Sequence, residues 1–511
     1  MKLTPQFAAI ASVLVLLSAC GGDSGAPATQ PAPPTPPVPP PVVYAGASPG
    51  GSGELFNKCE VSHPGPIQNQ PGTQADEKGF VRAITTETYL WNMEVPTVDP
   101  TTYPTVIDYF EALKTPLLSA SGRPKDRFHF TYPSQTWDAL SNGVEFGYGI
   151  SWVTPRNFVP RIWRVAIVED GSPAAAAGLR RGDELVMMDG VDFVNRNDRA
   201  AVDAFNAALT PTKDGEQHKL TFWRNGASVD ATLTAAKISV ASVQNTRVID
   251  TPAGKTGYLT FNSHNGPAEK QLYDAITAFK SAAVNDLVID MRYNGGGLLT
   301  IASELAYMVA GPATTDGKVF YKYSTNGRLS PGRPTPFLGK SSGQLATQIL
   351  PLGIALLHLD LKRVTVLAGP GTCSASEAVI NGLRGVDVQV DLIGGQTCGK
   401  PYAFVPLANC GTTFFLVQYQ GVNNKGWGDY ADGFAPTCAA DDDMEHALGD
   451  PAEGLLATAL KLQAGQACPA LAQVQVQARL LQGGKAAAAL QVLEMPLRPA
   501  VKEIAVLPAF Q

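Results

Sequence analysis

Between residues 239 and 470 short apolar runs recur, each separated from the next by a stretch with helical spacing or a turn: TGYLTF from 256, DLVIDMRYNGGG from 286, RVTVLAG from 363, VDLIGG from 390 and TTFFLVQY from 412. Short runs rich in Val, Ile, Leu and Phe read as strands buried on both faces. Strands that alternate with helices call for a sheet covered by helices. The expectation is an α/β domain over 239–470, and no repeat period suggests a solenoid.

One boundary in that alternation carries chemistry. RVTVLAG is followed by a Pro-Gly-Thr turn and, from about Ser374, by a helix with a face of Ala378, Val379, Ile380 and Leu383. A serine there faces unbonded N–H groups and partial positive charge, a setting for a nucleophile whose attack creates an oxyanion. A hydroxyl needs a base. Lys400, after a glycine at the end of the next strand in LIGGQTCGKPYAF (392–404), can supply one if desolvation lowers its pKa. Cys373, a second potential nucleophile, has no histidine near it in sequence.

Ser374-Ala375-Ser376-Glu377, followed after a helix and a strand by Thr397-Cys398-Gly399-Lys400, resembles the signature of the C-terminal processing (tail-specific) proteases, the S41 serine peptidases. The resemblance implies a ClpP/crotonase-like core, Ser374 as nucleophile and Lys400 as general base, with no metal or other cofactor. DMRYNGGGLL (290–299) resembles the family's Asp-Leu-Arg-x-Asn-x-Gly-Gly element, which implies an oxyanion hole from the N–H groups of Ala375 and either Gly296 or Gly297. YLW at 89, DRFHF at 126, GYLTFNSH at 257 and LGDPAEGLLATAL at 448 extend the likeness over about residues 80–465.

The chain also departs from the pattern. Many relatives carry a glutamine four residues after the lysine that helps to orient it; Phe404 stands there, implying a dyad without that orienter. Other branches draw a histidine base from the segment matching KDRFHF, which makes His129 a competitor. Ser376 reads as a helix-turn side chain, and Glu377 as a first-turn charge favourable to the helix dipole. DDDMEH (441–446) reads as a solvated acidic turn, since its spacing matches no EF-hand loop.

Ahead of this domain, GYGISWVTP (147–155) and RVAIVEDGSPAAAAGLRRGDELVMMDGVDF (164–193) run strand, glycine turn, Ala-rich helix, Arg-Gly-Asp turn, strand. That order resembles a PDZ domain of bacterial proteases, taken here as 141–238. It implies a carboxylate-binding loop at Tyr148, Gly149 and Ile150, where a peptide end adds to the sheet edge. Residues 54–140 have mostly helical spacing and read as a helical cap, while 471–511 form a C-terminal extension with no assigned role.

The first 20 residues hold one early lysine and an apolar run ending Leu-Ser-Ala-Cys, an export signal that resembles a bacterial lipobox with Cys20 as the lipidated residue. Gly21 after it implies sorting to the outer membrane, facing the periplasm. The Pro- and Gly-rich stretch 21–53 reads as a stiff tether, leaving the lipid as the membrane attachment. Six further cysteines in an exported chain point to disulfides; Cys398 with Cys410 and Cys438 with Cys468 are the expected pairs. A net charge of −6 argues against a nucleic-acid partner.

The expected function is a serine endopeptidase acting on protein or peptide substrates. The alternatives are an inactive peptide-binding adaptor on the same fold, an esterase, or a peptidase with His129 as base.

Overall fold

The computed structural model describes residues 51–65, 68–344, 350–468 and 505–506. Cys20, the tether and nearly all of 469–511 lie outside the described residues. Among those described, no helix is long and apolar enough to cross a membrane.

The N-terminal region contributes α1 (Gln74–Thr88), α2 (Val106–Ala112) and β1 (Phe130–Pro133). Thr73 caps α1: its hydroxyl accepts from Asp76 N–H while the Asp76 carboxylate accepts from Thr73 N–H, which satisfies two otherwise unbonded donors.

A β-rich domain follows, with β2 (Ile150–Arg156), β3 (Ile162–Val168), the short helix α3 (Pro173–Ala176), β4 (Glu184–Met188), α4 (Arg199–Leu209), β5 (Gln217–Arg224) and β6 (Ala227–Thr234). The antiparallel order is β6-β5-β4-β3-β2, with β2 at an edge. Its core, including Trp163, Leu185, Phe193, Phe205, Phe222 and Leu233, comes from this stretch of chain alone.

The second six-stranded sheet is built from β7 (Val243–Thr251), β8 (Gly254–Phe261), β9 (Asp286–Asp290), β10 (Arg363–Ala368), β11 (Gln389–Gly394) and, at the edge beside β11, Cys438–Ala439. Only β7 runs antiparallel to its neighbour; the other pairings are parallel. Period-two alternation sends Leu287 and Ile289 to one face and Val288 to the other. The first face packs against α5 (Ala268–Ser281), α6 (Leu299–Ala310) and α7 (Ala375–Gly385); the second packs against α8 (Gly454–Gln463). Burial on both faces explains the continuous apolar runs in the sequence.

The predicted strand at 412 does not join this sheet. β12 (Leu407–Asn409) and β13 (Thr412–Phe415) form a hairpin, and β13 pairs with β1. Phe80, Ile84 and Phe110 of the N-terminal helices share one core with Tyr402, Leu407 and Phe414. The helical cap is therefore completed by chain from the far side of the lysine motif.

This hairpin corrects the cysteine pairing. Cys410 is carried to Cys59, while Cys398 bonds Cys373; Cys398 and Cys410 are not partners because the hairpin turns towards the N-terminal region. Cys438 bonds Cys468, as expected.

Candidate active site

The strand-to-helix turn after β10 is pinned from below. Thr372 Oγ1 accepts from Gly369 N–H at 3.0 Å and donates to the Met291 carbonyl at 2.8 Å. Cys373 N–H and Ser376 Oγ–H both donate to the Asn294 carbonyl, at 3.1 and 2.9 Å. Ser376 is thus a rivet between the Ser374 turn and the glycine loop. Between these ties Ser374 stands at the N-cap of α7 with φ +60° and ψ −113°. Such a conformation costs about 1–3 kcal/mol in a non-glycine residue and persists only where its surroundings impose it. The residue is 1% exposed, and its Oγ makes no hydrogen bond among the described residues.

Glu377, one turn into α7, does more than favour the helix dipole. It is fully buried, and its Oε2 accepts the N–H groups of Ser374 (3.0 Å) and Lys400 (2.8 Å), while Oε1 accepts Gly399 N–H (2.8 Å) and Thr397 Oγ1–H (2.6 Å). Burial pushes its pKa up, against the pull of these four donors. One carboxylate oxygen therefore holds the backbones of Ser374 and Lys400 side by side. The Ser-x-x-Glu spacing, a capping-box pattern, was the available signal for this role.

Lys400 is 1% exposed, with Nζ lying 4.8 Å from the ring centre of Phe128 and 4.4 Å from that of Phe404. Phe404 thus lines the amine with an aromatic face. Arg127 reaches across from the N-terminal region, Nη2 donating to the carbonyls of Cys398 and Gly399 at 3.3 Å. The 126–130 segment supplies a wall and a clamp around the lysine. His129 is turned to other partners: Nε2 lies 3.0 Å from the Phe110 carbonyl, Nδ1 faces Asp126 at 3.5 Å, and the ring stacks on Phe110.

The glycine loop follows β9. Gly296 N–H donates to Asn294 Oδ1 at 2.9 Å, which engages the donor of one of the two glycines expected at the oxyanion hole. A side chain at Gly297 is excluded, since φ is +139° and an added Cβ would lie 2.5 Å from the His264 carbonyl. Asn294 also donates to the Phe261 carbonyl and meets His264 Nδ1 at 3.1 Å. His264 is buried, which pushes its pKa down to about 3. Gly297–Leu298 pairs in parallel with Ala505–Val506.

Behind the loop lies a charged network that sequence reading missed. Arg292 pairs with Asp290, Glu453 and Asp442, and Asp442 also receives Arg181 Nη2 at 2.5 Å and the Tyr293 hydroxyl. The acidic turn is therefore only partly solvated: Asp441 and Glu445 are exposed, while Asp442 is drawn into the network. Asp442 is the node where the Arg-Gly-Asp turn of the β-rich domain meets the glycine loop, and Asp443 accepts from Glu445 N–H and pairs with His446.

Cys373, Glu377 and Cys398 form the one cluster of three potential metal ligands among the described residues. With the sulfurs joined and the carboxylate engaged by backbone donors, it offers no thiolate. In the β-rich domain Tyr148 is buried, Gly149 has φ +77°, and Ile150 opens edge strand β2; the carbonyls of Tyr148 and Gly149 accept from Ala174 and Glu169 N–H.

Comparisons with known proteins agree with this architecture. Residues 255–413 match peptidase family S41, and residues 76–132 match the peptidase S41 N-terminal domain. A CtpA-like serine protease of Staphylococcus aureus is 26% identical over 45% of this chain and 40% of its own length. A carboxyl-terminal-processing protease of Synechocystis is 25% identical over 45% of this chain and 47% of its own. The matched region thus spans less than half the length of these curated relatives. An S41 protease from Bacteroides fragilis superposes with a TM-score of 0.58 at 21% identity, covering 79% of this chain and 99% of the other.

Core, glycine loop and N-terminal region together define a mixed α/β, multidomain chain with an S41 protease core. The chain carries a peptidase S41 region and an S41 N-terminal domain and is homologous to the C-terminal processing proteases.

Proposed function

We propose that this chain is a serine endopeptidase of the C-terminal processing type, with Ser374 as nucleophile and Lys400 as base. The observation that carries the reading is the shared acceptor: Ser374 and Lys400 both donate their N–H to Glu377 Oε2, so their backbones meet at one buried carboxylate. In the reaction, Ser374 Oγ attacks the scissile carbonyl as the Lys400 amine takes its proton. The N–H groups of Ala375 and Gly297 hold the oxyanion. Lys400 then returns the proton to the leaving amine, and water hydrolyses the acyl-enzyme by the same route. A lysine amine in an aromatic, water-poor pocket suits the role of base.

The β-rich domain is read as PDZ-like, taking an extended peptide end along edge strand β2 near Tyr148, Gly149 and Ile150. Three disulfides suit an oxidising compartment, in keeping with an exported lipoprotein anchored through Cys20 in the outer membrane and facing the periplasm.

The test is cleavage of an unstructured reporter protein by the wild type, Ser374→Ala and Lys400→Ala, each checked for folding. Wild-type cleavage with both variants inert supports the dyad. Wild-type inertness moves the adaptor reading ahead, and cleavage by Lys400→Ala points to another base such as His129.

A further inference from the structure

Among the three disulfides one stands apart by position. Cys373 immediately precedes Ser374, and Cys398 lies two residues before Lys400, with Cα atoms 5.2 Å apart. We propose that the Cys373–Cys398 disulfide is a positioning element for the reaction, a covalent tie that holds nucleophile turn and base loop in working register. The inference rests on the Ser374–Lys400 reading.

Three observations converge on it. Ser374 occupies a left-handed conformation that its neighbours must impose. The two loops are joined by β11 and α7, and their other direct ties are hydrogen bonds: Cys398 N–H to the Thr372 carbonyl at 3.0 Å, and the donors gathered by Glu377. Hydrogen bonds of this kind open with local fluctuations, whereas a covalent bond does not. Finally, Cys398 Sγ lies 3.4 Å from Glu377 Oε2, so the sulfur bridge borders the carboxylate on which both catalytic backbones converge. The other two disulfides serve different joints: Cys59–Cys410 fastens the hairpin to the N-terminal region, and Cys438–Cys468 ties the sheet edge to the chain after α8.

The same placement makes the site sensitive to a dithiol. Its thiolate attacks one sulfur of the bridge, releasing the other as a thiolate and giving a mixed disulfide; its second thiol then closes a cyclic disulfide and expels the sulfur that was attacked. Two electrons pass to the cystine, and two protons end on Cys373 and Cys398. Cys398 is half-buried and Cys373 is 1% exposed, so Cys398 is the more accessible sulfur. Loss of the tie lets the Ser374 turn and the Lys400 loop drift apart, and small misplacements of reacting groups cost rate rather than binding.

The experiment compares the purified full-length wild type with Cys373→Ala/Cys398→Ala and, as a distant control, Cys438→Ala/Cys468→Ala. Measured are the rate of Ser374 labelling by a fluorophosphonate, kcat and KM on an unstructured protein, and the folded fraction by circular dichroism. For the first double variant kcat and labelling rate should fall about 10- to 100-fold with KM within about twofold, while the control labels at about the wild-type rate. Wild-type rates in Cys373→Ala/Cys398→Ala, or a loss no larger than its unfolded fraction, overturn the proposal. If that variant does not fold, dithiothreitol is titrated into the wild type and each cystine followed by mass spectrometry. Activity must then track the Cys373–Cys398 bond and return on reoxidation; activity that survives its reduction overturns the proposal. A wild type that neither labels nor cleaves, by contrast, removes the dyad reading itself.

Discussion

The β-rich domain and the Ser374–Lys400 site are put together in opposite ways. The β-rich domain draws its core from one stretch of chain and joins the rest through the charged contacts around Asp442, a small apolar cluster of Ala166 and Ile167 with Tyr293 and Leu448, and the hydrogen bonds of Glu169 with Ala241 and Gln244. The site gathers Phe128, Asn294, Ser374, Glu377 and Lys400 from segments far apart in sequence, and nearly every polar group there is buried and bonded. Local assembly allows a domain to change or move without rewriting the chemistry. Non-local assembly makes each site residue depend on the others.

Four outcomes would break or sharpen that contrast. The largest effect is expected from Glu377→Ala, which leaves three buried N–H groups without an acceptor at about 1–3 kcal/mol each. Fluorophosphonate labelling should fall by about 100-fold or more, while the separate core of the β-rich domain, followed by Trp152 and Trp163 fluorescence, stays folded. A variant that keeps wild-type labelling would show that the site is not interdependent.

Arg181→Ala tests the joint. It removes the cation between Asp442 and the Tyr293 hydroxyl at a buried position, so protein cleavage should drop about 3- to 30-fold with Ser374 still able to label. Equal loss of labelling would mean that the two regions are one unit. Gly149→Ala probes the β-rich domain alone: φ is +77°, and the new Cβ would sit 2.3 Å from Ser172 Cβ. The cost should be about 1–3 kcal/mol in that domain, read by proteolysis or hydrogen exchange, with the labelling rate unchanged.

The last outcome concerns pH. His264 is neutral in the fold, its pKa lowered by burial to about 3, whereas in the unfolded chain it takes a proton below its ordinary value of 6.5. The unfolded state therefore binds the extra proton between these values, and stability falls as pH drops from 6.5 towards 3 by up to about 1.4 kcal/mol per unit. His264→Gln should show a shallower acid decline in denaturation midpoint; an identical slope would exclude His264 as a source of it.

Much of this was legible beforehand. The α/β alternation, the helix starting at Ser374 and the glycine loop after β9 follow from period and turn residues, which are local properties of the chain. Misreadings fell where partners are distant. Cys410 lies 12 residues from Cys398 in sequence, yet it bonds Cys59 because β13 pairs with β1. Asp442 belongs to an acidic run that looks solvated until Arg181 and Arg292 are brought to it.

The sequence by itself determined the elements, the S41 motifs and the residue types able to attack and to accept a proton, because periodicity and turn chemistry act over a few residues. Only the tertiary structure decided that Glu377 holds Ser374 to Lys400, that Phe128 and Phe404 enclose the amine, and which cysteines meet. Those contacts depend on how strands pair across hundreds of residues, and nothing in local composition encodes that pairing.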